Sequence, residues 1–243
     1  MRHLIFIVLI LFPFICFSQV NMESQRSDKK GFSGNNTLGI DLFKGNVEVL
    51  NYNLGLRIDH KKGIHYTFLQ ILHEYGEENG IEFQDVGFGH LRWTAMWFNR
   101  IGSELFTQFQ YDDFKLLRLR QLNGLGVRIV PHKILTIGVG AMSDYEKLED
   151  NSTDLIPRST NYINISKSIN DKAKLSFVTY YQPSLVDMTD YRILVESNLE
   201  FIMNKRLSLI NAFIYAYDTR PPENVLKDDM KINISFKINW GLK

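Results

Sequence analysis

The clearest pattern in the chain is its last one. From Ile232 to Leu242 every second residue is apolar: Ile232, Ile234, Phe236, Ile238, Trp240 and Leu242 fall on one face. Asn233, Ser235, Lys237, Asn239 and Gly241 fall on the other. A period of two is the strand signal, because successive side chains of a strand leave on opposite faces. The same rhythm recurs in runs of about ten residues, and helical periodicity is weak. It predicts twelve strands near 36–44, 47–59, 64–75, 84–98, 103–112, 116–130, 134–146, 158–168, 173–182, 191–203, 206–218 and 230–242.

The connections predict how the strands are joined. Those at His60–Gly63, Asn99–Gly102, Pro131–Lys133, Asn170–Lys172 and Asn204–Arg206 are short, whereas Glu77–Phe83, Lys147–Pro157, Pro183–Asp190 and Thr219–Asp229 are longer. Gly45-Asn46 and the turn around Asp113–Lys115 break this alternation. Short turns at one end and longer loops at the other describe an all-β, antiparallel transmembrane barrel. An even strand count puts both termini on the periplasmic side.

Alternation alone does not separate a membrane barrel from a soluble one. Three features together favour the membrane, the first being the polar face. At mid-strand it carries Arg92, Glu104, Gln108, Gln110, Asp112, Arg118, Arg120, Arg128, Arg192, Glu196, Glu200 and Lys237, which a lumen accommodates as pairs. Trp93, Trp97, Tyr215, Tyr217 and Trp240 share the apolar face, several near strand ends, where amphipathic rings settle at a membrane–water boundary. The last strand can close against the first, and only a closed barrel leaves no open strand edge in lipid.

A turn centred near Phe114 sets Asp112 opposite Arg118 and Gln110 opposite Arg120, with Glu104 diagonal to Arg128. These pairs predict a lumen narrowed by bonded side chains. One stretch fits badly: the phase that turns Arg118, Arg120 and Arg128 inward puts Gln121 and Asn123 against lipid. Either a β-bulge shifts the register there, or that face meets a partner.

The N-terminus assigns a compartment. Met1-Arg2-His3 precedes an apolar run of 14 residues from Leu4 to Phe17, then Ser18. That is the layout of a secretory signal peptide, 1–18, and the run is too short to cross a bilayer as a helix. Residues 19–35, rich in Ser, Asn, Lys and Gly, read as a flexible periplasmic lead-in, and 36–243 as the barrel. Cys16, the single cysteine, falls in the signal, so the mature chain has no disulfide or cysteine-bound metal. Losing Arg2 takes Lys+Arg from 28 to 27, against 27 Asp+Glu. A neutral chain gives no electrostatic reason to bind nucleic acid.

The sequence Glu104-Leu-Phe-Thr-Gln-Phe-Gln-Tyr-Asp-Asp-Phe-Lys-Leu-Leu-Arg-Leu-Arg-Gln-Leu-Asn-Gly-Leu-Gly-Val-Arg128 resembles the central hairpin of the salt-induced outer-membrane proteins, a family of unknown function. Tyr215-Ala-Tyr-Asp-Thr-Arg-Pro-Pro-Glu223 is similar to that family's last loop. The resemblance spans Leu38 to the C-terminus and implies an outer-membrane barrel with no catalytic residues to carry over. It departs at Trp240-Gly241-Leu242-Lys243, where such barrels end on an aromatic residue.

The residues support no competing chemistry. His60, His65, His73, His90 and His132 are followed two positions on by Lys62, Thr67, Tyr75, Arg92 and Ile134, so no strand carries the His-x-Ser pair that would activate a hydroxyl. His73-Glu74 and Asp112-Asp113 are adjacent and diverge across a strand. Gly124-Leu125-Gly126 and Gly138-Val139-Gly140 read as small residues relieving crowding in a barrel. The expectation is a non-enzymatic bacterial outer-membrane protein without cofactor or metal, a narrow channel or structural barrel. Its partners would be membrane lipids and the barrel assembly machinery. A lipid-modifying hydrolase and a soluble periplasmic carrier are the alternatives.

Overall fold

The computed structural model describes residue 26 and residues 30–241. Twelve strands form one closed antiparallel barrel: β1 (Gly31–Lys44), β2 (Glu48–Lys62), β3 (His65–Glu78), β4 (Ile81–Ala95), β5 (Ile101–Asp112), β6 (Leu117–His132), β7 (Leu135–Leu148), β8 (Thr153–Asn170), β9 (Ala173–Pro183), β10 (Tyr191–Ile202), β11 (Leu207–Asp218) and β12 (Asp228–Trp240). Each strand pairs with its sequence neighbours, and β12 closes on β1 from Gly34↔Trp240 to Leu38↔Phe236. There the indole of Trp240 lies over Gly34, where a Cβ would fall 2.2 Å from the ring. Its Nε1–H donates to Asn36 Oδ1 at 3.0 Å. The signal peptide, Gln19 and Leu242 lie outside the described residues.

Several boundaries differ from the sequence reading. β1 begins at Gly31, paired with Lys61, so residues 31–35 belong to the barrel rather than to the lead-in. The long connection expected at Glu77–Phe83 is a two-residue turn, Asn79-Gly80, both at positive φ (52° and 78°). Asn-Gly suits this tight hairpin, whose twist matches the flanking strands, and the reading passed over it. β4 stops at Ala95, which leaves Trp97 in the following turn. Longer connections persist at the end away from the termini only at 184–190 and 219–227.

Burial is inverted relative to a water-soluble fold. Leu42 (76 % exposed), Ile232 (66 %) and Leu125 (62 %) face outward, while Arg57, Arg158, Gln108 and Glu196 are at most 1 % exposed. Large apolar residues avoid water and charged ones avoid apolar surroundings. A wall that is apolar outside and charged inside therefore belongs to a barrel set in lipid.

The outward rings sort by height. Trp93, Trp97 and Trp240 lie at the end that carries the termini, where Trp93 stacks on His65 (5.6 Å). Trp97 sits edge-on to the same imidazole (6.4 Å). Tyr52 and Tyr75 (5.6 Å), and Tyr181, Tyr191 and Tyr217 (5.7 and 6.0 Å), gather at the opposite end.

Candidate functional site

The site is the barrel interior. Alternation turns one residue in two inward, and pairing register then decides which inward groups meet. β5 and β6 pair Gln110 with Arg120, Glu104 with Gly126 and Gly102 with Arg128. Glu104 and Arg128 are thus diagonal neighbours, with Arg128 Nη1 3.3 Å from Glu104 Oε1. Arg92 Nη1 lies 3.6 Å and Arg26 Nη1 3.4 Å from the same carboxylate. The Tyr162 hydroxyl, three strands away on β8, donates to Glu104 Oε2 at 2.8 Å. Tyr162 reaches across because Gly138 beside it has no side chain: a Cβ there would fall 1.9 Å from the ring. Gly124 makes the same room for Phe106.

Nearer the far end a second node centres on Asp144. Arg120 Nε and Nη2 each donate to it at 2.8 Å, a bidentate pair. Arg158 Nε donates to Asp144 at 3.0 Å and also grips both oxygens of Asp190 at 3.0 Å. Arg192 Nη1 spans three strands to Asp144 (2.8 Å) and Glu146 (2.7 Å), while its Nε donates to Asp218 at 2.6 Å.

Other bonds cross the interior. Lys231 on β12 donates to Glu74 on β3 at 2.5 Å, and Lys115 meets Asp229 across the mouth. Lys237 pairs with Glu200. Between these pairs the wall is filled by rings, with His90 stacked between Phe68 (5.6 Å) and Phe106 (5.5 Å). Glu196 stands apart. It is 1 % exposed, its register partners are Val178 and Ile214, and its Oε1 has no hydrogen-bond partner.

Residues 36–240 match the family described as "Protein of unknown function, DUF481". The chain belongs to that family. No curated protein matches the sequence. Among solved structures the chain is similar to the NanC porin, at 9 % identity over 86 % of this chain and 98 % of that one, TM-score 0.47. It is also similar to the translocator domain of the autotransporter NalP from Neisseria meningitidis (14 %, 88 % and 90 %, 0.49). A third is an anion-selective porin from Comamonas acidovorans (8 %, 86 % and 98 %, 0.42). At these identities the likeness concerns the barrel and carries no function across.

Within this member of the family, the residues singled out by sequence occupy three kinds of place. Arg92, Glu104, Gln108, Gln110, Arg120, Arg128, Glu196, Glu200 and Lys237 point into the barrel. Asp112 is buried but forms no ladder with Arg118. Its Oδ1 accepts the Lys115 N–H at 3.0 Å and caps a single 3₁₀ turn, Asp113–Lys115. Arg118 is the correction. It is exposed, its Nη1 donating to Asn151 at 3.2 Å.

The cause of that correction is a bulge. Register slips between Gln110 and Asp112 on one side of β6 and between Leu117 and Leu119 on the other, so Arg118 is an extra residue unmatched on either neighbour. The bulge does not rescue Asn123, which faces outward and accepts from the Thr107 hydroxyl at 2.9 Å. Reading one strand at a time missed Asp144, Glu146, Arg158, Asp190 and Asp218. For the four on strands the one signal was the inward phase of β7, β8 and β11, and Asp190 in the connection before β10 carried none.

Proposed function

We propose that this is a non-enzymatic bacterial outer-membrane barrel whose lumen is closed to free ion flow by its own paired side chains. The observation that carries the reading is the set of contacts bridging strands that are not neighbours. Tyr162–Glu104 and Arg192–Asp144 each span three strands at 2.8 Å, and Lys231–Glu74 spans three at 2.5 Å. Long side chains pinned across a twelve-stranded barrel leave little water-filled cross-section.

Family membership, the apolar outer wall and the two aromatic belts support insertion into the outer membrane, with lipid around the wall and the barrel assembly machinery as partner in biogenesis. The mature chain begins at Gln19 after export, which N-terminal sequencing checks. Kinship with the salt-induced outer-membrane proteins rests on 104–128 and 215–223, and a rise in protein level on shifting cells to high salt tests it.

Planar-bilayer recording decides the lumen. Unmodified protein should show little conductance. Replacing Arg120, Arg128 and Arg192 together by Ser should open a measurable path and lower thermal stability. A wide ohmic pore in the unmodified protein refutes the closed lumen.

A further inference from the structure

We infer that the far mouth of the barrel encloses a binding chamber for a small uncharged molecule with a body the size of one aromatic ring. The chamber lies between the Asp144 node and the connection 219–227, with a volume of about 130 Å³. A protein cavity of roughly 150 Å³ holds benzene.

Apolar side chains form part of its wall, with charged and amide groups around them. Val86 and Phe88 on β4 face Leu194 on β10, all buried, with small Ala216 beside Leu194. Pro222 and Val225 partly cover it from above. An apolar concavity with a few polar groups is the usual form of a small-molecule site.

The roof is held in place. The Asp218 N–H donates to Lys227 O at 2.7 Å, Thr219 N–H to Tyr191 O at 3.1 Å and Val225 N–H to Pro222 O at 3.1 Å. Pro221 and Pro222 fix their own φ, and Asn224 turns the chain at φ 66°. On the opposite side the Lys115–Asp229 pair ties the Asp113–Lys115 turn to β12.

The bordering charges that are not open to solvent are already engaged, and Lys227 is exposed, which sets the ligand's class. Arg192 is held by Glu146 and Asp218 at 2.7 and 2.6 Å, Lys115 by Asp229, and Asp112 caps the 3₁₀ turn. A charged ligand would lose its water without gaining a counter-ion, which is costly. Gln110 and Gln182 line the chamber and can hydrogen-bond a hydroxyl or carbonyl. The inference goes beyond the proposed function, because a chamber can bind whether or not the lumen conducts.

Phenol is a suitable probe. Titrated calorimetrically into the full-length protein in lipid nanodiscs, with empty nanodiscs subtracted, it should bind saturably at one site per barrel. Benzoate and benzylammonium should bind about tenfold more weakly or worse. Ala216→Trp, which fills the chamber, should abolish the signal while leaving the strand circular dichroism unchanged. Val86→Phe does so from the opposite wall if the first variant does not fold. In the unaltered protein, phenol should shift the methyl resonances of Val86, Leu194 and Val225. Binding no greater than to empty nanodiscs, persistence in a folded filled variant, equal binding of the charged analogues, or methyl shifts only elsewhere would each overturn the inference.

Discussion

Two places in the barrel are built from the same parts and held differently. Asp144 and Glu104 are each a single inward carboxylate approached by three guanidiniums: Arg120, Arg158 and Arg192 at the first, Arg26, Arg92 and Arg128 at the second. Around Asp144 the guanidiniums also grip Glu146, Asp190 and Asp218, so three cations meet four anions. Around Glu104 the guanidiniums also meet rings and hydroxyls. Arg26 sits over Tyr66 (4.2 Å), Arg92 over Phe106 (5.2 Å), and Arg128 donates to Tyr162 and Thr136 (3.0 and 3.2 Å). The first node is a cross-linked ionic lattice. The second also sets Arg26 and Arg92 against ring faces, where each cation–π contact contributes about 0.5–2 kcal/mol.

The largest expected effect follows from that difference. Asp144→Ala removes an acceptor shared by three buried guanidiniums, and breaking a buried ionic partnership costs roughly 3–5 kcal/mol. Glu104→Gln keeps an oxygen for the Tyr162 hydroxyl and leaves Arg26 and Arg92 against their rings. Its cost should be about 1–3 kcal/mol, that of a charged hydrogen bond. Urea unfolding in detergent, followed by the heat-induced gel shift of folded barrels, ranks the two. If Glu104→Gln proves the more damaging, the contrast between lattice and ring support is wrong.

This contrast also shows what the sequence could and could not disclose. Twelve strands, their closure and the inward phase of Arg92, Glu104, Gln110, Arg120 and Arg128 were legible because period-two alternation is a local property of each strand. The Glu104–Arg128 diagonal was legible because one turn sets the register of one hairpin. Arg118 was misplaced by a single inserted residue, which alternation cannot see. The Asp144 lattice was illegible for a different reason. Its members come from β6, β7, β8, β10, β11 and the connection before β10, and they meet only once the barrel closes and brings strands three apart face to face.

A smaller effect sharpens the comparison from the Glu104 side. In a double-mutant cycle on Glu104→Gln and Arg128→Gln, direct partners at 3.3 Å should couple by roughly 0.5–3 kcal/mol. Coupling near zero would mean that Tyr162 and Arg92 hold Glu104 without Arg128, and that this node is several independent contacts.

The smallest effect concerns the rim above the Asp144 node. Asp187 and Arg220 join the two long connections, with Arg220 Nη2 donating to Asp187 Oδ2 at 2.5 Å and to Thr189 Oγ1 at 3.1 Å. The Thr189 hydroxyl and N–H donate to Asp187 Oδ1 at 2.7 and 3.0 Å. These bonds from Thr189, followed by Arg220, hold the Asp187 carboxyl below its usual range. A depressed carboxylate stabilises the fold above its ordinary pKa, and that contribution disappears as pH falls through the lowered value. The pair is exposed, so solvent screens it and global stability should hardly change. The loop should respond instead. Hydrogen exchange, corrected for intrinsic rates, should show residues 187–189, Thr219 and Arg220 losing protection when pH drops below the carboxylate range. Asp187→Asn should reproduce this at neutral pH. The base of the same connection should stay protected, because Arg158 holds Asp190 from inside the barrel at 3.0 Å. If Asp187→Asn releases Ser184 and Asp190 together with the tip, the exposed clasp carries the loop and the buried lattice beneath it does not.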